Sequence, residues 1–173
     1  MVIMALILIN LSACSQNDEL TVYDTSVDVP LQGWASTDTL FYSIAVTDPT
    51  TIKNPVAVGH DYHMNISLRY SSSLPLTHLP FLLTLQQTDT TGGYIHPIRN
   101  IMKQEFSLPV RDAAGIPLGD NWGSLYTIET PISSPSIRFD SAGTYRFMIL
   151  PDLGDLPELP GVASIGIELA KKP

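Results

Sequence analysis

The chain has 173 residues, of which 44% are hydrophobic and 15% charged, and a formal net charge of −8. This length suits a single domain with a proper core, and the composition is not that of a disordered chain. The negative charge argues against nucleic-acid binding, and attachment to an anionic membrane surface would need something other than a basic patch.

The N-terminal segment MVIMALILINL carries no charge and is too short to span a membrane as a helix, which takes about 20 apolar residues. Its length fits the apolar region of a secretory signal. The small residues Ser12 and Ala13 follow, and Leu11 to Cys14 match the bacterial lipobox. We predict a lipoprotein signal peptide at 1–13, cleavage between Ala13 and Cys14, and attachment of an S-diacylglycerol and an N-acyl chain such as palmitate to Cys14. The alternative is a buried N-terminal strand with a core cysteine.

Lipid on Cys14 would hold an acidic protein on a membrane, because several acyl chains exceed the two signals that stable anchoring requires. Residues 14–20 form the predicted lipidated N-terminus and tether, and residues 21–173 the predicted single β-sandwich domain. Asp18 and Glu19 partly resemble a signal that sends lipoproteins to the cell surface. The periplasmic face and the surface face of the outer membrane therefore both stay open.

Strand signals dominate the rest of the chain. The clearest is Tyr62–Tyr70, where apolar and polar residues alternate as in a strand with one buried face. Further strands are predicted at Thr39–Val46, Phe81–Gln87, Gly123–Thr130, Ser136–Phe139, Gly143–Leu150 and Val162–Leu169.

Turn-forming residues separate these strands, in stretches such as TDPTTIKNP, TTGG, DSAG and LPELPG. No segment shows a sustained helical period with a capping box. The pattern predicts an all-β fold, an immunoglobulin-like antiparallel β-sandwich of about seven to nine strands.

Two groups of side chains suggest metal ligands at first sight. His60 and His63 form an H-x-x-H pair, but residues three apart on a strand point to opposite faces, so the pair converges only if His60 lies in the preceding turn. Asp112, Asp120 and Asn121 flank a glycine-containing stretch, yet a calcium loop needs closely alternating oxygen ligands. We therefore favour a strand entrance for the histidines and a turn for the acidic stretch, and we predict no metal site.

No motif in the chain indicates catalysis. The carboxylates of Asp152, Asp155 and Glu158 could do acid–base work, but they lie among prolines in PDLGDLPELPG, which favours a solvated loop. Because no nucleophile elbow, phosphate loop, H-E-x-x-H or C-x-x-C is present, we predict a protein without enzymatic activity or cofactor. Trp34 and Trp122 each lie beside a glycine, where an aromatic can stack on a ligand or, more often, close the end of a sandwich core.

Segments spread through the chain carry a family resemblance. After the lipobox come QGWASTDTLFYSIAV, YHMNISLRYSSSLPLTHLPFLLTL and DAAGIPLGDNWGSLYTIETPI. The closing pattern L-x-G-[IV]-x-x-[IV]-G is matched by Leu159, Gly161, Val162, Ile165 and Gly166. In this order and spacing the segments resemble the gliding motility lipoprotein GldH family of Bacteroidetes. Arg69 falls where that family has an arginine, whereas Leu74 and Leu76 replace aromatic residues of the family's turn.

The resemblance implies a non-enzymatic accessory or structural component of the gliding machinery and the associated protein-secretion apparatus, anchored in the outer membrane. Its partners would be the membrane, through the lipid, and other envelope proteins, with no nucleic acid among them. We take Trp34, Arg69 and Trp122 as the candidate binding surface. The alternative is a surface lipoprotein that binds a glycan or another ligand through the loop aromatics.

Overall fold

The computed structural model describes residues 20–48 and 56–172, except for the side chains of residues 133–135. Within these residues the chain forms eleven β-strands and no helix. The strands are β1 (Leu20–Asp28), β2 (Trp34–Ala35), β3 (Leu40–Val46), β4 (Asp61–Ser71), β5 (His78–Thr91), β6 (Tyr94–Pro109), β7 (Asp120–Trp122), β8 (Leu125–Arg138), β9 (Gly143–Pro151), β10 (Glu158–Leu159) and β11 (Val162–Lys171). The prediction of an all-β protein is confirmed. The number of strands exceeds the prediction, in part because β2, β7 and β10 are only two or three residues long.

Two antiparallel sheets form the layers of the domain. The larger sheet has five strands in the order β1-β11-β4-β8-β7, and the smaller has four in the order β3-β9-β5-β6. β2 and β10 pair with each other in a small third sheet. The layered antiparallel arrangement agrees with the sequence, while the immunoglobulin-like strand arrangement stays a prediction.

Alternating burial turns one face of each layer toward a shared core. The side chains of β4 are buried at every second position from Tyr62 to Tyr70, and β3 and β9 alternate in the same way. One cluster of apolar side chains draws on both layers. The layers are also joined by a hydrogen bond of 2.8 Å, which the hydroxyl of Tyr42 on β3 donates to the carbonyl of Ile165 on β11.

One end of the sandwich lies where the described chain begins, and we call it the proximal end. Leu20 pairs with Lys171 there, and Lys171 pairs with Tyr62 at the start of β4. The ring of Tyr62 lies 5.8 Å from that of Phe139, which lies 4.7 Å from the ring of Tyr145 in the other layer. The starts of β1, β4 and β9 therefore meet at this end.

The opposite end, which we call the distal end, lies where β1 ends at Asp28, β4 ends at Ser71 and β11 begins at Val162. The small sheet of β2 and β10 closes it, with Leu159 paired to Trp34. Both of these side chains are fully buried. The distal end of the core is therefore sealed by a tryptophan and a leucine, which removes both apolar surfaces from water.

Candidate binding surface

The outer side of the five-stranded sheet is polar, and we call it the polar face. Residues that pair across neighbouring strands share a face, so the register identifies rows of side chains on this side. One row crosses all five strands: Asp28 pairs with Ser164, Ser164 with Arg69, Arg69 with Thr127, and Thr127 with Asp120.

A shallow depression of about 230 Å³ surrounds Arg69 in the polar face. The carboxylates of Asp24, Glu129 and Glu168 also line it, so its formal charge is negative. Glu168 is engaged within the protein, since one of its oxygens accepts a hydrogen bond of 3.1 Å from Asn65 Nδ2. The exposed guanidinium of Arg69 has no hydrogen-bond or ion-pair partner among the described residues. The guanidinium of Arg69 offers hydrogen-bond donors, and the surrounding carboxylates offer acceptors and a negative charge. Such a site suits a hydroxyl-rich or cationic ligand better than a phosphate, which the negative charge would repel.

A larger depression of about 540 Å³ lies at the distal end of the same sheet. Its walls include Leu31, Ser71, Leu125 and Gly161, from four separate parts of the chain. Trp122 on β7 is 75% exposed and pairs in register with Leu125, which is one of the residues that line this depression. We define the candidate binding surface as the two depressions together with Trp122.

The turn that follows β4 forms one wall of the larger depression and is firmly held. Gly161 has a φ of +86°, and a Cβ on it would lie 2.5 Å from the amide nitrogen of Leu74. The Gly161 carbonyl accepts a hydrogen bond of 2.7 Å from the amide of Ser71. Arg111 donates to the carbonyls of Ser72 at 2.8 Å and Leu74 at 2.9 Å. Only glycine fits the close approach, so the shape of this wall depends on residue 161.

The structure brings two of the three residues predicted for a binding surface onto one face. Arg69 and Trp122 lie in neighbouring rows of the polar face, because Arg69 pairs with Thr127 and Trp122 with Leu125. Trp34 does not join them. It is fully buried, and its indole N–H donates a hydrogen bond of 2.8 Å to the carbonyl of Asp38. The expectation of a surface role for Trp34 is therefore wrong, and the alternative, closure of the core, describes it.

The remaining groups singled out in the sequence do not form a metal site within residues 20–48 and 56–172. No three His, Cys, Asp or Glu side chains there are placed to hold an ion. His60 lies in the turn before β4, with Nε2 3.4 Å from Nζ of Lys171, which is a cation and not a co-ligand. Asp112 closes a turn, since one carboxylate oxygen accepts hydrogen bonds from the amides of Ala114 and Ile116 at 2.9 and 2.8 Å. These contacts satisfy the side chains locally.

The carboxylates of Asp152, Asp155 and Glu158 are all exposed between the end of β9 and β10. Sequence reasoning missed the residues that shape the larger depression, above all Leu31 and Gly161. Only the folded chain brings them together, and no local signal marks them. The one available hint is that Gly161 lies in a segment that carries the family resemblance.

The predicted lipid-attachment site lies outside the described residues. This applies to Cys14, to Ala13 on the other side of the predicted cleavage point, to the signal peptide at 1–13 and to the tether as far as residue 19. Leu20, the last residue of the predicted tether, already belongs to β1. Among the described segments, none is a helix with the length and apolarity needed to cross a bilayer.

The fold and the surface define a class of protein, namely a layered antiparallel β-domain with one open polar face. Among curated proteins, no significant match to this chain is found. A family model described as GldH lipoprotein matches residues 21–169, which is most of the chain. The chain therefore belongs to the GldH lipoprotein family, as the resemblance predicted. Membership implies a membrane-anchored envelope lipoprotein associated with gliding motility, in a family that is not known for enzymes.

Proposed function

We propose that this protein is a non-enzymatic accessory or structural component of the gliding machinery and its associated protein-secretion apparatus. A lipid on Cys14 would hold it at the outer membrane, and an immunoglobulin-like sandwich would serve as a rigid scaffold for binding other envelope proteins. The observation that carries the proposal is the family match over residues 21–169. The antiparallel layers and the open polar face support it.

The candidate binding surface is the place where we expect a partner to bind. Trp122 is 75% exposed on a three-residue edge strand, and Arg69 is exposed and unpaired among the described residues. Tryptophan and arginine are the side chains most enriched among residues that dominate binding energy at protein interfaces. Arg69 lines the smaller depression, and Trp122 pairs with Leu125, which lines the larger one. A partner that covers Trp122 would remove this apolar ring from water.

The experiment compares complementation of a deletion strain by the wild-type protein and by the Trp122→Ala variant. We expect the variant to be produced and folded normally, because an exposed side chain contributes little to stability. It should restore less gliding and secretion, and affinity capture of the intact lipoprotein should recover less of the gliding or secretion components. Phe41→Ala is the matched control, since Phe41 is an exposed aromatic on the other sheet.

A deletion strain with unchanged motility, secretion and envelope integrity would contradict the proposed function. If the deletion impairs gliding or secretion and the Trp122→Ala variant restores them fully, the proposed function is supported, but the assignment of the binding surface is wrong. Protease shaving of intact cells would identify the membrane face, because only a surface-exposed domain is cleaved.

Lipid attachment has its own test. Cys14→Ala should abolish fatty-acid labelling and leave an unprocessed or mislocalised precursor. Labelling that persists in this variant would refute attachment at Cys14.

A second candidate function is glycan binding at the same surface. It is favoured by the position of Trp122 next to polar groups, since an aromatic ring can stack on a sugar while carboxylates, Arg69 and Asn65 bond its hydroxyls. On a glycan array we expect binding that Trp122→Ala abolishes, Arg69→Met weakens and Trp122→Phe partly keeps. The absence of any glycan ligand for the wild-type protein would remove this candidate.

A further inference from the structure

The β5–β6 hairpin extends beyond the rest of its sheet. The pairing of β5 with β9 ends at Thr88 and Thr144, whereas its pairing with β6 continues to Thr91 and Tyr94. The glycines at 92–93 have φ angles of 62° and 82°, as a tight hairpin turn requires. At about 3.4 Å per residue, the three additional pairs carry the tip roughly 10 Å past the last residue that β9 supports.

The tip projects from the proximal end, where the described chain begins. Gln87, next to the last supported pair, lies opposite Tyr145 on β9. The ring of Tyr145 packs against that of Phe139, which in turn packs against the ring of Tyr62. Tyr62 lies at the same end of the five-stranded sheet as Leu20. The segment that precedes Leu20, with the predicted lipid site, therefore joins the domain at the end from which the hairpin projects.

The tip exposes apolar side chains and is nearly uncharged in a protein of net charge −8. Tyr94 and Ile95 are exposed by 74% and 46%, and Ile98, at the base of the projection, is exposed by 61%. Asp89 is the only formally charged residue between 88 and 98. Its carboxylate accepts hydrogen bonds from the amide of the next residue and the hydroxyl of the one after it, which lowers the penalty for moving it out of water.

The apolar side chains lie on both faces of the tip. Tyr94 and Ile95 are consecutive in a strand and therefore point to opposite sides. The register shift between the pairs of Gln87 and Thr88 leaves Ile98 as an extra, unpaired residue. A flat protein partner would cover the apolar side chains on one face of the hairpin only. A hairpin that enters the boundary between lipid headgroups and acyl chains is surrounded by lipid, so the side chains on both faces are covered. Tyrosine is also a side chain that favours this boundary.

We propose that the tip of the β5–β6 hairpin is a second membrane contact, which enters the surface of the bilayer that holds the lipid anchor. The inference rests on the proposed lipid attachment at Cys14. Six residues, 14–19, would span up to about 20 Å when extended, twice the projection of the tip, so the anchor leaves the tip free to reach the bilayer. Arg99, further back on β6, has an exposed ion pair with Asp140 at 3.8 Å. The second contact would stop the domain from tumbling on its tether.

The test places a fluorescent reporter at the tip of the full lipidated protein in vesicles of brominated phosphatidylcholine. The first protein carries Tyr94→Trp together with Trp122→Phe, so that its only exposed tryptophan lies at the tip. The second is the wild-type protein, in which Trp122 reports on the distal end. The buried Trp34 is present in both proteins. We expect the introduced tryptophan to lose emission in brominated vesicles and to shift to the blue in ordinary ones, while Trp122 does neither. Adding Ile95→Ser and Ile98→Ser should restore the lost emission.

Flotation of the same samples separates the two proposals. A protein that floats with the vesicles but whose introduced tryptophan is not quenched would overturn the hairpin contact and leave the lipid anchor standing. A protein that does not float would overturn both. Equal quenching of the introduced tryptophan and of Trp122 would also overturn the hairpin contact, because it would mean that the domain lies on its side.

Discussion

Loss of the Tyr70 hydroxyl should destabilise the protein by about 1–2 kcal/mol, the lower part of the usual penalty for a polar group that loses its partner away from water. This hydroxyl is fully buried and lies 2.6 Å from the carbonyl of Val110 and 2.7 Å from that of Leu118. It has one proton, so it can donate to one of them at a time. The carbonyl of Val110 also accepts a hydrogen bond of 3.0 Å from the amide of Leu118. Within the described residues, the Leu118 carbonyl has no other donor, so Tyr70→Phe leaves this half-buried oxygen without its protein partner.

Urea unfolding of Tyr70→Phe measures this penalty, and the midpoint should fall with an unchanged slope. In a thermal melt the same loss lowers Tm by roughly 2–4 °C for each kcal/mol. Tyr126→Phe is the matched control, because its ring lies 5.6 Å from that of Tyr70 and its hydroxyl has no partner among the described residues. The control should stay within about 0.5 kcal/mol of the wild type. If the two variants unfold at the same urea concentration, the role given to the Tyr70 hydroxyl is refuted.

Two further predictions concern alkaline pH and the wall of the larger depression. Burial raises the pKa of Tyr42 well above its ordinary value of 10.0, and it raises the pKa of three other tyrosines. The unfolded chain therefore loses these protons first, so the stabilisation is complete below about pH 10 and decreases as the pH rises further. The part of the phenolate absorbance at 295 nm that Tyr42→Phe removes should appear together with unfolding, and its appearance before the loss of the native fold would contradict this. Gly161→Ala should destabilise by about 2–4 kcal/mol in urea, because it combines a left-handed backbone with a clash against Leu74. Gly154→Ala, also at positive φ but in open space, should lose only about 1–2 kcal/mol, and equal losses would show that the clash is relieved.

Strands with one buried face could be predicted closely from the sequence. The predicted strand Tyr62–Tyr70 is observed as Asp61–Ser71, and Val162–Leu169 as Val162–Lys171. Burial of alternate side chains imposes a period of two on such a strand, and this period is visible without any tertiary information. The core of the fold was therefore accessible from local pattern alone.

The strands at the edges of the sheets were harder to predict. β6 is exposed along most of its length, so packing does not impose apolar and polar alternation on it. Its two register shifts leave Ile98 and Ile101 unpaired, which interrupts the period that remains. β1 is likewise an edge strand with mostly exposed side chains, and the sequence-based prediction places its first residue, Leu20, in the tether. Local pattern fails where a strand is held by backbone pairing and contributes little to the core.

The candidate surface could be predicted only in part, and the two tryptophans explain why. Trp34 and Trp122 both lie beside a glycine, yet one is fully buried and the other is 75% exposed. Trp34 is covered because β2 pairs with β10, which lies more than a hundred residues further along the chain. Trp122 lies on β7, which has a strand on one side only, so no residue of the described ranges covers its ring. Their local sequences are similar, and it is the long-range pairing that separates core from surface.

In these proposals the proximal end of the sandwich contacts the membrane, and the distal end binds the partner. β4 runs between them for eleven residues, which corresponds to about 35 Å. A domain held upright at its proximal end would therefore present Trp122 far from the bilayer, where a partner can reach it. If this orientation matters, replacing Ile95 and Ile98 by serine should weaken partner capture on membranes and leave it unchanged in detergent, where no bilayer orients the domain. Trp122→Ala should weaken capture in both, because it removes the contact itself.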